Sequence, residues 1–188
     1  LFAVVLVVVC LLGAHWPLSG RAMDNVDGAL SDPDGDLLLT PAAFSFSPGT
    51  TNTYLSHYFW VDVRVNTMGQ PIDSAQAYVN YETDYLNVVQ IVAGTVWSNV
   101  LTSQWDDSLG HVNFAGGIDI SEPPITGVIT VCRIQFRATA LTPGAALGFS
   151  LSAPRESKAS LEGSSWGGSG SSGTVIISEG GPDMTPTP

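Results

Sequence analysis

Short segments in which apolar and polar side chains alternate recur along most of this 188-residue chain, separated by Gly, Pro, Asn and Asp. Alternation with a period of two is typical of β-strands with one buried face, and no long stretch keeps the spacing of an amphipathic helix. Many short strands between turn residues predict an all-β sandwich or barrel. The predicted strands are Leu37–Phe46, Phe59–Val65, Ser74–Tyr81, Leu86–Ala93, His111–Ala115, Val128–Ala138, Ala146–Leu151, Ser160–Leu161 and Thr174–Ile177.

The alternation also divides the side chains of each predicted strand between an inner and an outer face. Along Ser74–Tyr81 the apolar residues face inward, and the outer row is Ser74, Gln76, Tyr78 and Asn80. Along Val128–Ala138 the predicted inward residues are Thr130, Cys132, Ile134, Phe136 and Ala138, and the outward residues are Val131, Arg133, Gln135 and Arg137. Strands with one polar face are typical of antiparallel sheets.

The two ends of the chain differ in composition from its middle. Residues 1–22 hold a continuous apolar run and end in Gly20-Arg21-Ala22, which predicts a secretory signal peptide; without Met or a basic n-region, its start is expected to be truncated. Residues 23–36 form an acidic lead-in, residues 37–178 the predicted sandwich, and residues 179–188 the start of a Pro/Thr-rich linker or tail. The Gly/Ser stretch at residues 165–173 is predicted to be a flexible loop.

The charge and cysteine content narrow the classes of partner and chemistry. The formal net charge is −11, and the 6 basic residues do not cluster in the sequence. This balance argues against nucleic acid or an anionic membrane as the partner, since both need a Lys/Arg footprint. Together with the signal peptide it predicts a secreted or cell-surface protein without a membrane span in its mature form. Cleavage leaves Cys132 alone, so no internal disulfide is expected and a buried core thiol is the interpretation.

Four segments, in this order and spacing, carry a resemblance to a known family. They are AYVNYETDYLNVV at 77–89, HVNFAGG at 111–117, GVITVCRIQFRATA at 127–140 and GTVII at 173–177. In these segments the chain resembles the cohesin domain family over roughly residues 37–178, as a divergent member. The resemblance implies a nine-stranded jelly-roll β-sandwich, a shape that carbohydrate-binding modules also use. It further implies a non-catalytic module that docks a dockerin-like protein, in assembling polysaccharide-degrading or surface-attached complexes.

In the cohesin family the partner lies across one sheet, formed by the third, fifth, sixth and eighth strands. Matched strand to strand, that resemblance implies a partner-binding face made of Ser74, Gln76, Tyr78, Asn80, His111, Asn113, Arg133, Gln135 and Arg137. Ser74 and Gln76 stand where scaffoldin cohesins typically have an Asn and an Asp, so the usual recognition contacts are not reproduced. A flat polar face with an aromatic residue suits a docking surface that stays soluble when unoccupied.

Other readings of the sequence stay open. A carbohydrate-binding module would use exposed aromatic residues, with Trp97 and Trp105 first, and a structural spacer would need no partner at all. Catalysis is not expected, because neither a nucleophile elbow nor a His cluster with metal spacing occurs, and Asp106-Asp107 lies in a turn. Asp32, Asp34 and Asp36 alternate in SDPDGD and could offer oxygen ligands to a structural calcium ion, although no EF-hand loop is present.

Overall fold

The computed structural model describes residues 41–180. Every regular element among them is a β-strand, as the alternation predicts. No helix in this part of the chain is long and apolar enough to cross a membrane. The strands are β1 (Ala42–Ser47), β2 (Thr50–Tyr54), β3 (Tyr58–Asn66), β4 (Ser74–Tyr81), β5 (Leu86–Ala93), β6 (Asn99–Asp106), β7 (His111–Gly117), β8 (Val128–Ala138), β9 (Thr142–Phe149), β10 (Leu151–Ser152), β11 (Arg155–Glu156), β12 (Lys158–Leu161), β13 (Ser164–Gly170) and β14 (Gly173–Ser178).

The strands form two groups around one core. The first group, the β4 sheet, has the order β6-β7-β4-β9-β14-β2, and the second, the β8 sheet, has the order β1-β3-β8-β5. Most neighbours are antiparallel, whereas β14 runs parallel to β2 and β13 runs parallel to β1. The β12–β13 hairpin joins the two groups, because β12 pairs with β4 and β13 pairs with β1. The prediction of an all-β sandwich is confirmed.

The inward side chains of both sheets make up the core. Phe44, Phe114 and Phe136 are its largest fully buried members, packed with valines of β3 and β4. The apolar residues predicted to face inward on β4 are all buried, which confirms that prediction, and Val112 and Phe114 of β7 are buried as well. Cys132 is also buried, as predicted, and burial raises the pKa of its thiol far above the ordinary range. A thiol held protonated in this way is not a nucleophile.

A β-bulge corrects the predicted faces of β8. Val131, predicted to point outward, is fully buried, and Thr130, predicted to point inward, is only partly buried. The register between β3 and β8 shifts here, since Val63 pairs with Cys132 while Arg64 pairs with Thr130. One extra residue on β8 reverses the phase of the alternation on its N-terminal side. The carbonyl of Val131 then accepts hydrogen bonds from the N–H of Gly94 at 3.0 Å and from Trp97 Nε1 at 2.9 Å.

The Gly/Ser stretch at residues 165–173 is not a loop, and that prediction is wrong. Most of it lies in β13, which pairs with both β12 and β1. Its glycines are needed for close packing: a Cβ on Gly168 would lie 2.5 Å from the Phe44 ring, and one on Gly170 would lie 2.8 Å from the Phe149 ring. Gly in a strand often marks such a close approach.

The structure has more strands than the nine predicted from the sequence. The additional strands among residues 41–180 are β2, β6, β10, β11 and β13. They are rich in Thr, Ser, Asn and Gly or only two residues long, so their sequences give a weak alternation signal. The strand predicted at Ala146–Leu151 is in fact β9, which starts at Thr142 and ends at Phe149. The first predicted strand begins before the described residues, and within them β1 starts at Ala42.

Candidate functional site

The polar row predicted on β4 lies beside the polar row of β7. Tyr78 pairs with Asn113 and Asn80 pairs with His111 across the two strands, so their side chains share the outer face of the β4 sheet. Ser74 and Gln76 continue the same row toward the start of β4, and all six residues are partly exposed. The structure thus brings together the part of the predicted partner-binding face that comes from β4 and β7.

A third strand widens this surface. β6 pairs with β7, and Thr102, Gln104 and Asp106 lie opposite Ala115, Asn113 and His111. These three β6 residues were missed because no strand was predicted at Asn99–Asp106. The sequence signal is weak, because Thr102, Ser103 and Gln104 are all polar and interrupt the alternation. We call the outer surface of these three strands the β4–β7–β6 face.

The remaining predicted partner-binding residues lie elsewhere. Arg133, Gln135 and Arg137 are on β8, which pairs with β3 and β5 and belongs to the other sheet. The prediction that they share one sheet with Tyr78 and His111 is therefore wrong. The sequence showed that each strand has a polar face, but strand alternation carries no information about which sheet the strand joins.

An arginine that no pattern in the sequence indicated lies over β4 and β7 in the β4–β7–β6 face. Arg155, in the β10–β11 hairpin, donates from Nη1 to Asn80 Oδ1 at 2.7 Å and from Nη2 to Asn113 Oδ1 at 3.0 Å. Further hydrogen bonds reach the backbone carbonyls of Val79 and Val112 at 3.3 and 3.4 Å. Its guanidinium carbon also lies 5.5 Å from the centroid of the Tyr78 ring. Arg155 thus holds three residues of the predicted face in place.

The chain on either side of Arg155 is fixed to β4 by polar contacts. Ser157 is fully buried, and its hydroxyl oxygen accepts a hydrogen bond from the Tyr78 N–H at 2.9 Å. Gln76 donates from Nε2 to the carbonyl of Glu156 at 2.7 Å. These contacts place the segment between β9 and β12 against one side of the β4–β7–β6 face. A partner lying on this face would meet the hairpin as well as the flat strands.

The electrostatics of the β4–β7–β6 face are dominated by Arg155. All of its hydrogen-bond acceptors are neutral, and partial burial lowers its pKa from the ordinary value. An arginine nevertheless remains charged at neutral pH. Partial burial, with the charge of Arg155 nearby, lowers the pKa of His111, which favours its neutral imidazole. The face therefore carries one positive charge, from Arg155, and one negative charge, from Asp106 at the end of β6, among amide and hydroxyl groups.

The two adjacent carboxylates of Asp106-Asp107 both have structural partners. Asp106 Oδ1 accepts hydrogen bonds from the N–H of Ser108 at 2.8 Å and from its hydroxyl at 2.6 Å, and these bonds lower the Asp106 pKa. Asp107 Oδ1 accepts hydrogen bonds from the Tyr81 hydroxyl and, at 3.0 Å, from the Val88 N–H. Burial and this bond raise the pKa of Tyr81 far above its ordinary value. Asp106 stabilises a turn, and Asp107 connects the end of β4 to the start of β5.

We expect Asp107→Ala to lower the free energy of unfolding by about 1.5 kcal/mol, because it leaves a buried hydroxyl and an amide without their acceptor. Asp106→Ala is the control, since its carboxylate is exposed and bonds only the neighbouring turn. Urea denaturation of both variants measures the difference. Equal effects would show that the contact between Asp107 and Tyr81 contributes nothing to stability.

The two tryptophans proposed as a sugar platform differ in exposure. Trp97 is 6% exposed and donates its indole N–H to the Val131 carbonyl, so the prediction that it is an exposed stacking ring is wrong. Trp105 is 43% exposed on the edge strand β6, opposite Val112 on the inner side of β7. The two rings do not form a common platform.

The predicted calcium ligands Asp32, Asp34 and Asp36 lie outside the described residues. Residues 41–180 contain no group of three or more His, Cys, Asp or Glu that could hold a metal ion.

Comparison with known proteins gives matches among solved structures alone. No family model matches the chain, and no curated protein matches it. The seventh ScaB type I cohesin of Pseudobacteroides cellulosolvens is 14% identical, with a TM-score of 0.62 over 76% of this chain and 95% of that one. A non-cellulosomal cohesin of the archaeon Archaeoglobus fulgidus is 18% identical, with a TM-score of 0.58 over 74% of this chain and 93% of that one.

A type I cohesin–dockerin complex of Clostridium thermocellum also matches, at 13% identity and a TM-score of 0.59, over 73% of this chain and 99% of that one. At such low identities the likeness concerns the fold. It confirms the resemblance to cohesins that the four sequence segments carry. The described part of this chain has the jelly-roll β-sandwich fold of a cohesin domain.

Proposed function

We propose that this protein is a non-catalytic docking module that binds a dockerin-like protein across the β4–β7–β6 face. The observation that carries the proposal is the joining of three polar rows on adjacent strands, with Tyr78 and Asn113 side by side at the centre. Such a surface can be covered by a partner yet remains soluble without one.

The fold supports the proposal, because cohesin structures that match this chain include complexes with dockerins. The hairpin that carries Arg155 places a guanidinium on this face, and that group determines part of what a partner must offer. A partner that fits it needs hydrogen-bonding groups for the amides of β4 and β7, and it gains from a carboxylate near the guanidinium. These requirements are met by a folded protein surface.

The wider setting follows from the same proposal. A secreted module of this kind would join other proteins into polysaccharide-degrading or surface-attached complexes, and no catalysis by its own residues is required. Asp106 and Asp107 are both used in structural contacts, which supports the non-catalytic role. The carbohydrate-binding alternative retains Trp105 as its one exposed candidate of the two tryptophans.

We expect Gln104→Arg to weaken docking at least tenfold, because it places a long charged side chain on the exposed edge strand of the β4–β7–β6 face, beside Asn113 on the central strand. The measurement is isothermal titration calorimetry of the full chain with dockerin modules. Calcium is present because, as the resemblance implies, dockerins need it to fold.

Gln135→Arg is the matched control, because it makes the same substitution on the outer face of the other sheet. It should leave docking unchanged. If no dockerin binds the unaltered chain, or if both substitutions weaken binding equally, the β4–β7–β6 face is not the docking surface. Retention on insoluble polysaccharide that is lost in Trp105→Ala would instead support the carbohydrate-binding alternative.

A further inference from the structure

The outer face of the β8 sheet concentrates positive charge in an acidic protein. Three of the five Lys and Arg side chains among residues 41–180 are here, namely Arg64, Arg133 and Arg137, although the whole chain has a net charge of −11. The outward positions of β3, β8 and β5 hold one carboxylate, Asp62. We call this surface the arginine face. It is on the opposite side of the sandwich from the β4–β7–β6 face.

Asp62 neutralises only part of this charge. It accepts a hydrogen bond from Arg133 Nε at 2.9 Å and one from Arg64 Nη2 at 3.2 Å, so two guanidiniums share one carboxylate. Arg137 has no ion pair with the described residues. The side chain of Arg133 is 51% exposed, so its Nη groups remain accessible to an approaching anion. A fixed excess of two positive charges remains on the face.

Aromatic rings orient two of the three guanidiniums. Arg133 lies over the Trp60 ring, with its Cζ 5.1 Å from the ring centroid, and Arg137 lies over the Tyr58 ring at 5.9 Å. Such contacts restrict the side chain while leaving the edge of the planar guanidinium free for a carboxylate. They also cover the ring faces on which a sugar would stack, which favours a polypeptide partner over a polysaccharide.

The spacing of the arginines matches an extended chain. Arg133 and Arg137 are four residues apart on one face of β8, roughly 13 Å at the rise of a β-strand. An extended peptide lying along β8 has the same rise, so carboxylates at its positions i and i+4 would reach both guanidiniums. β5 is the edge strand of this sheet, next to β8. Its Asn87 pairs with Arg137, and its Gln90 pairs with Gln135.

We propose that the arginine face is a second interaction surface, which binds an acidic polypeptide segment in extended conformation, with Asp or Glu side chains four residues apart. The proposal rests on charge complementarity and spacing, and it does not depend on dockerin binding at the other sheet. Partners on the two faces could bind at the same time.

The test is an NMR titration of the full chain with a Ser/Gly peptide that contains two glutamates four residues apart. We expect the side-chain Nε–H signals of Arg133 and Arg137 to shift together at low salt, while that of Arg155 stays unchanged. A peptide with adjacent glutamates should bind at least threefold more weakly, and 0.5 M salt should abolish the shifts.

The double substitution Arg133→Gln/Arg137→Gln should weaken peptide binding at least tenfold. Arg133→Lys/Arg137→Lys keeps the charge without the planar fork of the guanidinium, so it should reduce the affinity less. Thermal melting checks that both variants are folded. Lys158→Gln is the matched control, because it removes a positive charge from β12 and should not change peptide binding. Unshifted arginine signals, equal loss in the Lys158 variant, or shifts produced by polygalacturonate and not by the peptide would each overturn the proposal.

Discussion

Gly94→Ala should destabilise the protein by at least about 3 kcal/mol, at the upper end of the range for overpacking. A Cβ at this position would lie 1.8 Å from the carbonyl oxygen of Thr130 and 2.8 Å from its carbonyl carbon. Both atoms belong to the backbone, so no side-chain rotation can relieve the clash. Separation of Gly94 from β8 would also break the 3.0 Å hydrogen bond from its N–H to Val131.

Gly148→Ala is the matched control for this substitution. Gly148 lies in β9, and a Cβ there meets nothing within 4 Å. We expect its free energy of unfolding to change by less than about 0.5 kcal/mol, and the smaller entropy of the unfolded chain favours a gain. Urea denaturation of the two variants beside the unaltered protein measures the contrast. A Gly94→Ala variant as stable as Gly148→Ala would mean that β5 and the bulge on β8 do not approach as described.

The same bulge shows where sequence patterns stop being informative. β4, β5 and β8 were predicted with their observed bounds, because each strand is long and its side chains alternate or are β-branched. The bulge at Val131 could not be predicted from the sequence, since Thr130 and Val131 suit either face of the strand equally well. The glycines of β13 had the opposite problem: their sequence resembles a linker, and only the rings of Phe44 and Phe149 show why side chains are excluded.

The candidate site was predictable to a similar extent. The outward rows of β4 and β7 followed from alternation, and their pairing followed from the resemblance to cohesins. The assignment of β8 to the same sheet was wrong, because sheet membership depends on contacts between residues far apart in sequence. Arg155 could not be found in this way, since a single arginine after a turn has no periodicity, yet it contacts Asn80, Asn113 and the Tyr78 ring.

Arg155→Met should lower the free energy of unfolding by about 2 kcal/mol, because hydrogen bonds from a charged donor contribute more than neutral ones. Methionine keeps an unbranched apolar stem beside Tyr78 and removes the charge and the donors. Arg137→Met is the control, because that guanidinium lies over the Tyr58 ring in the same way but has no hydrogen bond to the described residues. It should change stability by less than about 0.5 kcal/mol. Equal losses in the two variants would assign the whole effect to the ring contacts.

A double-mutant cycle isolates the contact between Arg155 and Asn80, whose Oδ1 lies 2.7 Å from Nη1. Asn80→Asp would replace a neutral acceptor by a carboxylate, so we expect it to stabilise the protein by about 0.5–1 kcal/mol at neutral pH. The guanidinium lowers the pKa of the new carboxyl group in the folded state, so the gain should be present above its unfolded pKa and disappear as the pH falls through the folded one. In the Arg155→Met background the same substitution should give no gain. A gain in stability that persists in the Arg155→Met background would show that Arg155 does not stabilise the side chain at position 80. The hairpin would then lie beside the β4–β7–β6 face without fixing its side chains.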